Sequence, residues 1–182
     1  ITDVAVMWSK DQFSVLDRAA EKLTNLEWTD GHGRKHQTYA GSMVLKHKGG
    51  QKLFVSVCHL PSHVQNGHQY YDNAQARAWK GAMSGWGEYW TRQKKKHKPD
   101  LGLIVADWNV DFHDKIWRER VSGFFPGLKL CWTGHMPKGG THGNRLIDAT
   151  MGTIKAKQAM LLKDDKSSDH RPYGDVYVVT QQ

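Results

Sequence analysis

Two cysteines, Cys58 and Cys131, in 182 residues rule out a disulfide framework and a thiolate zinc site. Cys58 falls inside a strand pattern and reads as a small buried hydrophobe. No apolar run approaches the ~20 residues a membrane-spanning helix needs, so no membrane partner is expected. Internal repeats and low-complexity linkers are missing, which favours one domain over residues 1–182. There is also no basic start followed by a small-residue cleavage pattern, so no signal peptide is read. The chain opens at Ile1 without Met, and the expectation is a domain that is N-terminally incomplete.

Acidic residues are in deficit, with 18 Asp and Glu against 26 Lys and Arg, giving a net charge of +8. Such a balance favours an anionic partner, nucleic acid first among them; solubility alone is the plainer alternative. Part of the charge sits in "RQKKKHK" at 92–98 and looks like a solvated helix end. A hydrophobic fraction of 38% and a length of 182 are enough for a real core in a water-soluble domain.

Alternation and turn residues divide the chain. "DVAVMW" and "FSVL" read as strands split by the turn "SKDQ", and "TDGHGRKHQ" as a loop. "YAGSMVLKH" and "KLFVSVCHL" read as a hairpin closed by "KGGQ". From Asn73 to His97 the period changes, with Trp79, Met83, Trp86 and Trp90 at helical spacing. That stripe could be a base-stacking platform, but packing against a sheet is the simpler reading. Gly81, Gly85 and Gly87 weaken such a helix by roughly 1 kcal/mol each relative to Ala, so its packing must compensate. "PDLGLIVAD" reads as a strand, "KIWRERVSGF" as a helix, and "LKLCW", "RLIDATMG", "TIKAKQ" and "YGDVYVV" as strands. "GHMPKGGTHG" and "LKDDKSSDHRP" read as loops. The expected fold is α/β with a mixed sheet core.

The residues that can carry chemistry stand at strand ends. These are His59 in "CHL", Asp107 and Asn109 in "ADWN", Asp148 in "RLID", and Asp169 with His170 in "SSDHRP". Each alone has a bland explanation; Asp-X-Asn after a strand is often only a turn. Together they are an inventory. Carboxylates suit hard cations such as magnesium, which are completed by water and phosphate. Histidines contact phosphate oxygens or carry protons near neutral pH. The set suits metal-assisted attack of water on a phosphate ester.

The four motifs, in this order, resemble those of the endonuclease/exonuclease/phosphatase superfamily, which includes pancreatic deoxyribonuclease. Its patterns are "HL", "GDFN", "RIDY" and "SDHRPV"; here they stand as "HL", "ADWN", "RLIDA" and "SDHRPYGDV". "VAVMWSKDQFSVLD" also resembles an early strand pair of the family, so the likeness runs along essentially the whole chain. It implies a sandwich of two mixed, mainly antiparallel sheets flanked by helices, lacking its first strands. By the same likeness, Asp107 would orient and deprotonate the attacking water, and Asn109 would help hold phosphate and water. His170 would bind the scissile phosphate or donate a proton, with Asp148 orienting it. His59 would contact a phosphate oxygen, and Asp169 with Asp107 would hold magnesium or manganese. Trp108, in the place of the family's Phe, would point into the core.

Departures from the pattern are informative. The family carries an Asn on its first strand and a Gln-Glu pair whose Glu binds the metal. The likeness starts after both, no Gln-Glu pair exists in this chain, and Glu21 and Glu27 fall in the wrong place to substitute. The resemblance therefore implies a metal-dependent phosphodiester hydrolase, a nuclease acting on DNA or RNA, whose principal metal carboxylate lies elsewhere. Another segment or chain would complete the sheet at the N-terminal edge. Two other readings stay open: a non-catalytic structural or binding domain of the same fold, and a phosphatase of small or lipid phosphates.

Overall fold

The computed structural model describes residues 4–134, 136–162 and 168–179. Its centre is a six-stranded mixed sheet built from β1 (Phe13–Thr29), β2 (Lys35–His47), β3 (Lys52–His59), β6 (Leu101–Asp107), β8 (Asp148–Gly152) and β7 (Lys129–Leu130), in that spatial order. All neighbours are antiparallel except β3 and β6. That parallel pair needs a crossover, and α1 (Ala74–His97) provides it. A small hairpin, β4 (Gln65–Asn66) with β5 (Gln69–Tyr70), precedes α1, and α2 (Lys115–Phe124) follows β6. The hairpin of β9 (Gln158–Leu161) and β10 (Tyr173–Val176) forms a second, smaller sheet. It is tied to the large one where the Tyr173 and Thr150 hydroxyls meet at 3.0 Å. The fold is α/β, with mixed and mainly antiparallel sheets flanked by helices, as the sequence led us to expect.

Local chemistry explains α1. The Asn73 side chain caps it by accepting from the Ala76 N–H at 2.7 Å. Lys94, Lys95, Lys96 and His97 occupy its last turn, where the helix dipole favours cations. Its tryptophan stripe is core: Trp79, Met83, Trp86 and Trp90 are all buried. Two of the indoles also satisfy their N–H groups, Trp86 on the Ser56 hydroxyl at 2.9 Å and Trp79 on the Trp108 carbonyl at 2.8 Å. The helical glycines have a steric reason. A Cβ on Gly85 would collide with the Leu23 carbonyl of β1, and one on Gly87 with the Phe124 carbonyl at the end of α2. Glycine lets both backbones press against the helix, which offsets the propensity lost.

Several strand assignments need correction. "DVAVMW" forms no strand over its described residues: Val4, Val6 and Trp8 are half-buried and alternate with exposed Ala5 and Met7, but no strand is hydrogen-bonded to them. Alternation gave the right faces without a ladder. "FSVL" is only the start of the 17-residue β1, whose polar middle hid the rest. β2 begins inside the supposed loop "TDGHGRKHQ". "LKLCW" pairs over two residues only. "TIKAKQ" is mostly irregular, and its strand begins at Gln158. The loop "LKDDKSSDHRP" lies partly outside the described residues.

Candidate active site

Register does most of the assembly. Across three adjacent strands, His59 of β3 pairs with Asp107 of β6, and Asp107 pairs with Asp148 of β8. Directly paired residues point to the same face, so three of the candidate side chains form one row at one edge of the sheet. The His59 Nε2 lies 3.7 Å from the Asp107 Oδ2. His170 completes the row from the far end of the chain. A bridge between His170 and His142 fixes its backbone, and its Nδ1 meets the Asp148 Oδ2 at 2.8 Å while its Nε2 stands 3.8 Å from the Asp107 Oδ2. The carboxylate thus sets the imidazole's orientation and turns the second nitrogen toward Asp107.

Beyond β6 the chain makes a tight turn. The Asn109 N–H donates to the Asp107 carboxylate at 2.9 Å, and Asn109 takes a left-handed φ of 55°. The Asn109 amide then donates to the Leu60 carbonyl at 2.8 Å, fastening the turn to the end of β3. Trp108 between them is fully buried, stacked on Trp86 at 5.5 Å and donating to the Ala149 carbonyl. A core strand can therefore end on Asp-Trp-Asn: the indole and the buried Asn109 amide anchor the turn inside, while the partly exposed Asp107 carboxylate stands in the row.

Electrostatics mark the same place. Burial, and next the negative charge of Asp148, push the Asp107 carboxyl above the ordinary carboxylate range; the Asn109 N–H and the two histidines pull the other way. For His170, burial disfavours the charge, but its hydrogen bond to Asp148, with Asp148, Asp107 and Asp169 nearby, outweighs burial and raises its pKa. Displaced groups at a cleft mark candidate functional sites. A cleft of about 490 Å³ opens beside the row, with Gln65, Tyr71, Asn109, Arg145 and His170 among its walls.

Asp169 stands apart from the others. Its carboxylate is 80% exposed and faces the His142 Nε2 at 3.4 Å rather than Asp107. Among the described residues two sets could hold a metal ion: Asp107, Asp148 and His170, and His142, Asp169 and His170. The two carboxylates expected to share one ion fall in different sets, joined through His170.

Sequence reading passed over Thr141, His142 and Arg145. The Thr141 hydroxyl accepts from the N–H groups of Ile147 and Asp148, both at 3.0 Å, and so fixes the start of β8. Arg145 donates to the Asn109 carbonyl at 3.0 Å, tying the Gly-rich loop to the turn after β6. The available signal was a Thr-His pair inside a loop read only for its glycines, and the Arg that opens "RLID" itself.

No protein-family model and no curated protein matches the sequence, but solved structures do. The mannosyl-6-phosphatase Bt3783 of Bacteroides thetaiotaomicron aligns with a TM-score of 0.68 at 14% identity, over 93% of this chain and 69% of that one. The fold is that of endonuclease/exonuclease/phosphatase proteins. The catalytic domain of human Nocturnin, solved with a bound sulfate anion, aligns with a TM-score of 0.56 at 16% identity, over 92% of this chain and 61% of that one. TDP2 of D. rerio in complex with a single-strand DNA product aligns with a TM-score of 0.55 at 16% identity, over 89% of this chain and 67% of that one. This chain thus spans about two thirds or less of the length of several endonuclease/exonuclease/phosphatase structures it resembles.

Proposed function

We propose that this domain supplies the catalytic row of a phosphodiester hydrolase, a nuclease acting on DNA or RNA. The observation that carries the proposal is the convergence of His59, Asp107, Asp148 and His170 from three neighbouring strands and a distant loop. In this reading Asp107 accepts the proton of the attacking water. Its raised pKa makes it a stronger base than an ordinary carboxylate. His170, held by Asp148, presents its Nε2 to the scissile phosphate as a hydrogen-bond donor, and His59 contacts a second phosphate oxygen. Asn109 keeps one amide hydrogen on Leu60 and turns the other toward phosphate or water.

A divalent cation fits this edge of the sheet. Asp107 and Asp148 crowd two negative charges together, and a cation would relieve that crowding. Magnesium is usually held by one or two carboxylates with water and phosphate. Asp107, with Asp148 beside it, is our proposed carboxylate for magnesium or manganese, which when bound would neutralise charge on the phosphate; Asp169, expected from the sequence to share that ion, stands with His142 instead. The net charge of +8 and exposed Tyr71 at the cleft support a nucleic-acid substrate, the ring offering a base a stacking surface. The run at Lys94–Lys98 does not serve the cleft. It closes α1 at the end opposite Asn73, about 36 Å along a 24-residue helix, and Lys96 is paired with Asp17.

The test is Asp107→Asn with magnesium, assayed on DNA and RNA oligonucleotides, on bis-p-nitrophenyl phosphate and on the monoester p-nitrophenyl phosphate. Loss of a general base lowers the rate by about 10²–10⁴-fold, with the melting curve close to wild type. Unchanged activity refutes the role of Asp107. Cleavage confined to phosphomonoesters moves the assignment to a phosphatase.

A further inference from the structure

The second metal-competent set has a chemistry that magnesium does not explain. Its members are two imidazoles and one carboxylate, His142, His170 and Asp169, whose ligand atoms all lie within 4.8 Å of one another. We infer that these three residues form a binding site for a borderline transition-metal ion of the zinc and cobalt class, separate from the oxygen-rich pair Asp107 and Asp148. This deepens the reading above by assigning Asp169 to a nitrogen-rich set.

Three observations carry the inference. The first is spacing. Two ligands each ~2.0–2.1 Å from a tetrahedral ion are about 3.4 Å apart, and the His142 Nε2 and Asp169 Oδ2 already stand at 3.4 Å. The second is the support behind His170. Its Nδ1 is engaged by the Asp148 carboxylate at 2.8 Å, which leaves Nε2 as the nitrogen for a metal. A carboxylate behind the imidazole is the usual partner of a metal-bound histidine, fixing its tautomer and raising its basicity. The third is rigidity of the backbone under the two imidazoles. His142 is bridged to both Arg145 and His170, Arg171 N–H donates to the Thr141 carbonyl at 2.5 Å, and the two rings lie 4.9 Å apart. The set reaches solvent, since the side chains of His142 and Asp169 are 41% and 80% exposed. Three protein ligands leave a fourth position for water or a phosphate oxygen.

Ligand softness separates this set from its neighbour. Imidazole suits zinc, cobalt and nickel, whereas carboxylate and water suit magnesium. An ion on His170 Nε2 also takes that nitrogen from the phosphate, so the two sets compete for one histidine.

The test is a binding measurement that reads no hydrolysis, so it can fail independently of the proposed activity. The chain is titrated with cobalt(II), followed by its visible absorption, and with zinc by calorimetry, each with magnesium in large excess. One tight site per chain is expected, undisturbed by magnesium. His142→Ala should weaken it by at least ~10–100-fold, the cost of losing even a supporting partner. Asp148→Asn should weaken it by about that factor through His170 alone. Asp169→Asn should weaken it by a similar factor, since its carboxylate is the third ligand. His142→Gln, checked by its melting curve, guards against a folding defect in the alanine variant. Equal cobalt affinity in folded His142→Gln and wild type, or displacement of cobalt by the excess magnesium, overturns the assignment.

Discussion

The two faces of the six-stranded sheet are built from the same strands and finished differently. On the face under α1, Val44, Phe54, Cys58, Ile104, Ala106, Ala149 and Met151 are all buried, and the tryptophans of the helix fill the layer above them. On the opposite face Leu45, Val57 and Leu101 are buried, but Met43, Val55, Leu103 and Val105 are only half-buried, and the β9–β10 hairpin meets the sheet near Thr150 and Trp132. A strand points successive side chains to opposite faces, so β6 sends Ile104 and Ala106 into the core while Val105 and Asp107 take the other side. His59 and Asp148 share that side by register. Stability is concentrated on one face and the candidate chemistry stands on the other. Changes on the two faces should therefore separate folding from activity.

The largest expected effect is on the helix face. Trp86 packs on Trp108 and Phe125 and donates to Ser56. Trp86→Ala should cost about 3–5 kcal/mol, the usual range for a buried Trp, read from the midpoint of urea unfolding. A loss under about 1 kcal/mol would mean that the tryptophan layer is not the main core. Gly85→Ala sharpens the same point by its sign. On an exposed helix the change gains up to about 1 kcal/mol. Here the new methyl meets the Leu23 carbonyl, and an overpacking loss of about 1–3 kcal/mol is expected instead. A stabilised variant would show that β1 does not press on α1.

On the open face the effect should be smaller. Val55 is half-buried between Met43 and Leu103. Val55→Ala should cost about 1 kcal/mol, because only part of two methyl groups leaves contact. The comparison fails if this change costs as much as Trp86→Ala.

This asymmetry also explains what could be read from sequence. α1 was legible because a helix under a sheet repeats its apolar residues at helical spacing, as Trp79, Met83, Trp86 and Trp90 do, and α2 was legible in the run "KIWRERVSGF". β3 and β6 were legible as apolar runs. The row of His59, Asp107, Asp148 and His170 was legible through short motifs at strand ends, and the structure places these four together. The pairing of Asp169 with His142 was not, because it depends on how a glycine-rich loop folds back across β8. The long β1 escaped notice because most of its side chains are polar and exposed; a ladder to β2, not burial, holds it. "DVAVMW" misled in the opposite way, since its alternation reports which side chains face the protein and says nothing of a hydrogen-bonded neighbour.

The smallest expected effect lies at the turn between β1 and β2, and it separates charge from packing. Asp30 accepts from the N–H groups of His32 and Arg34 at 2.9 Å each, and its carboxylate also meets the side chains of His36 and Arg34. Contact with His36 first, and then the Arg34 N–H, holds its pKa well below the usual carboxylate range. A depressed pKa fixes the sign: the charge stabilises the folded chain fully above the ordinary value near ~4, and that contribution is lost as pH falls toward the folded value. Asp30→Asn keeps an oxygen for the two backbone donors but removes the charge and the second oxygen that meets Arg34 and His36. The melting temperature of the wild type should therefore exceed that of the variant at pH 7, and the gap should narrow steadily below about pH 4. A gap that stays constant from pH 7 to pH 3 would mean that the side-chain amide fails to replace the carboxylate as a turn cap, and that packing rather than charge sets the stability of this hairpin.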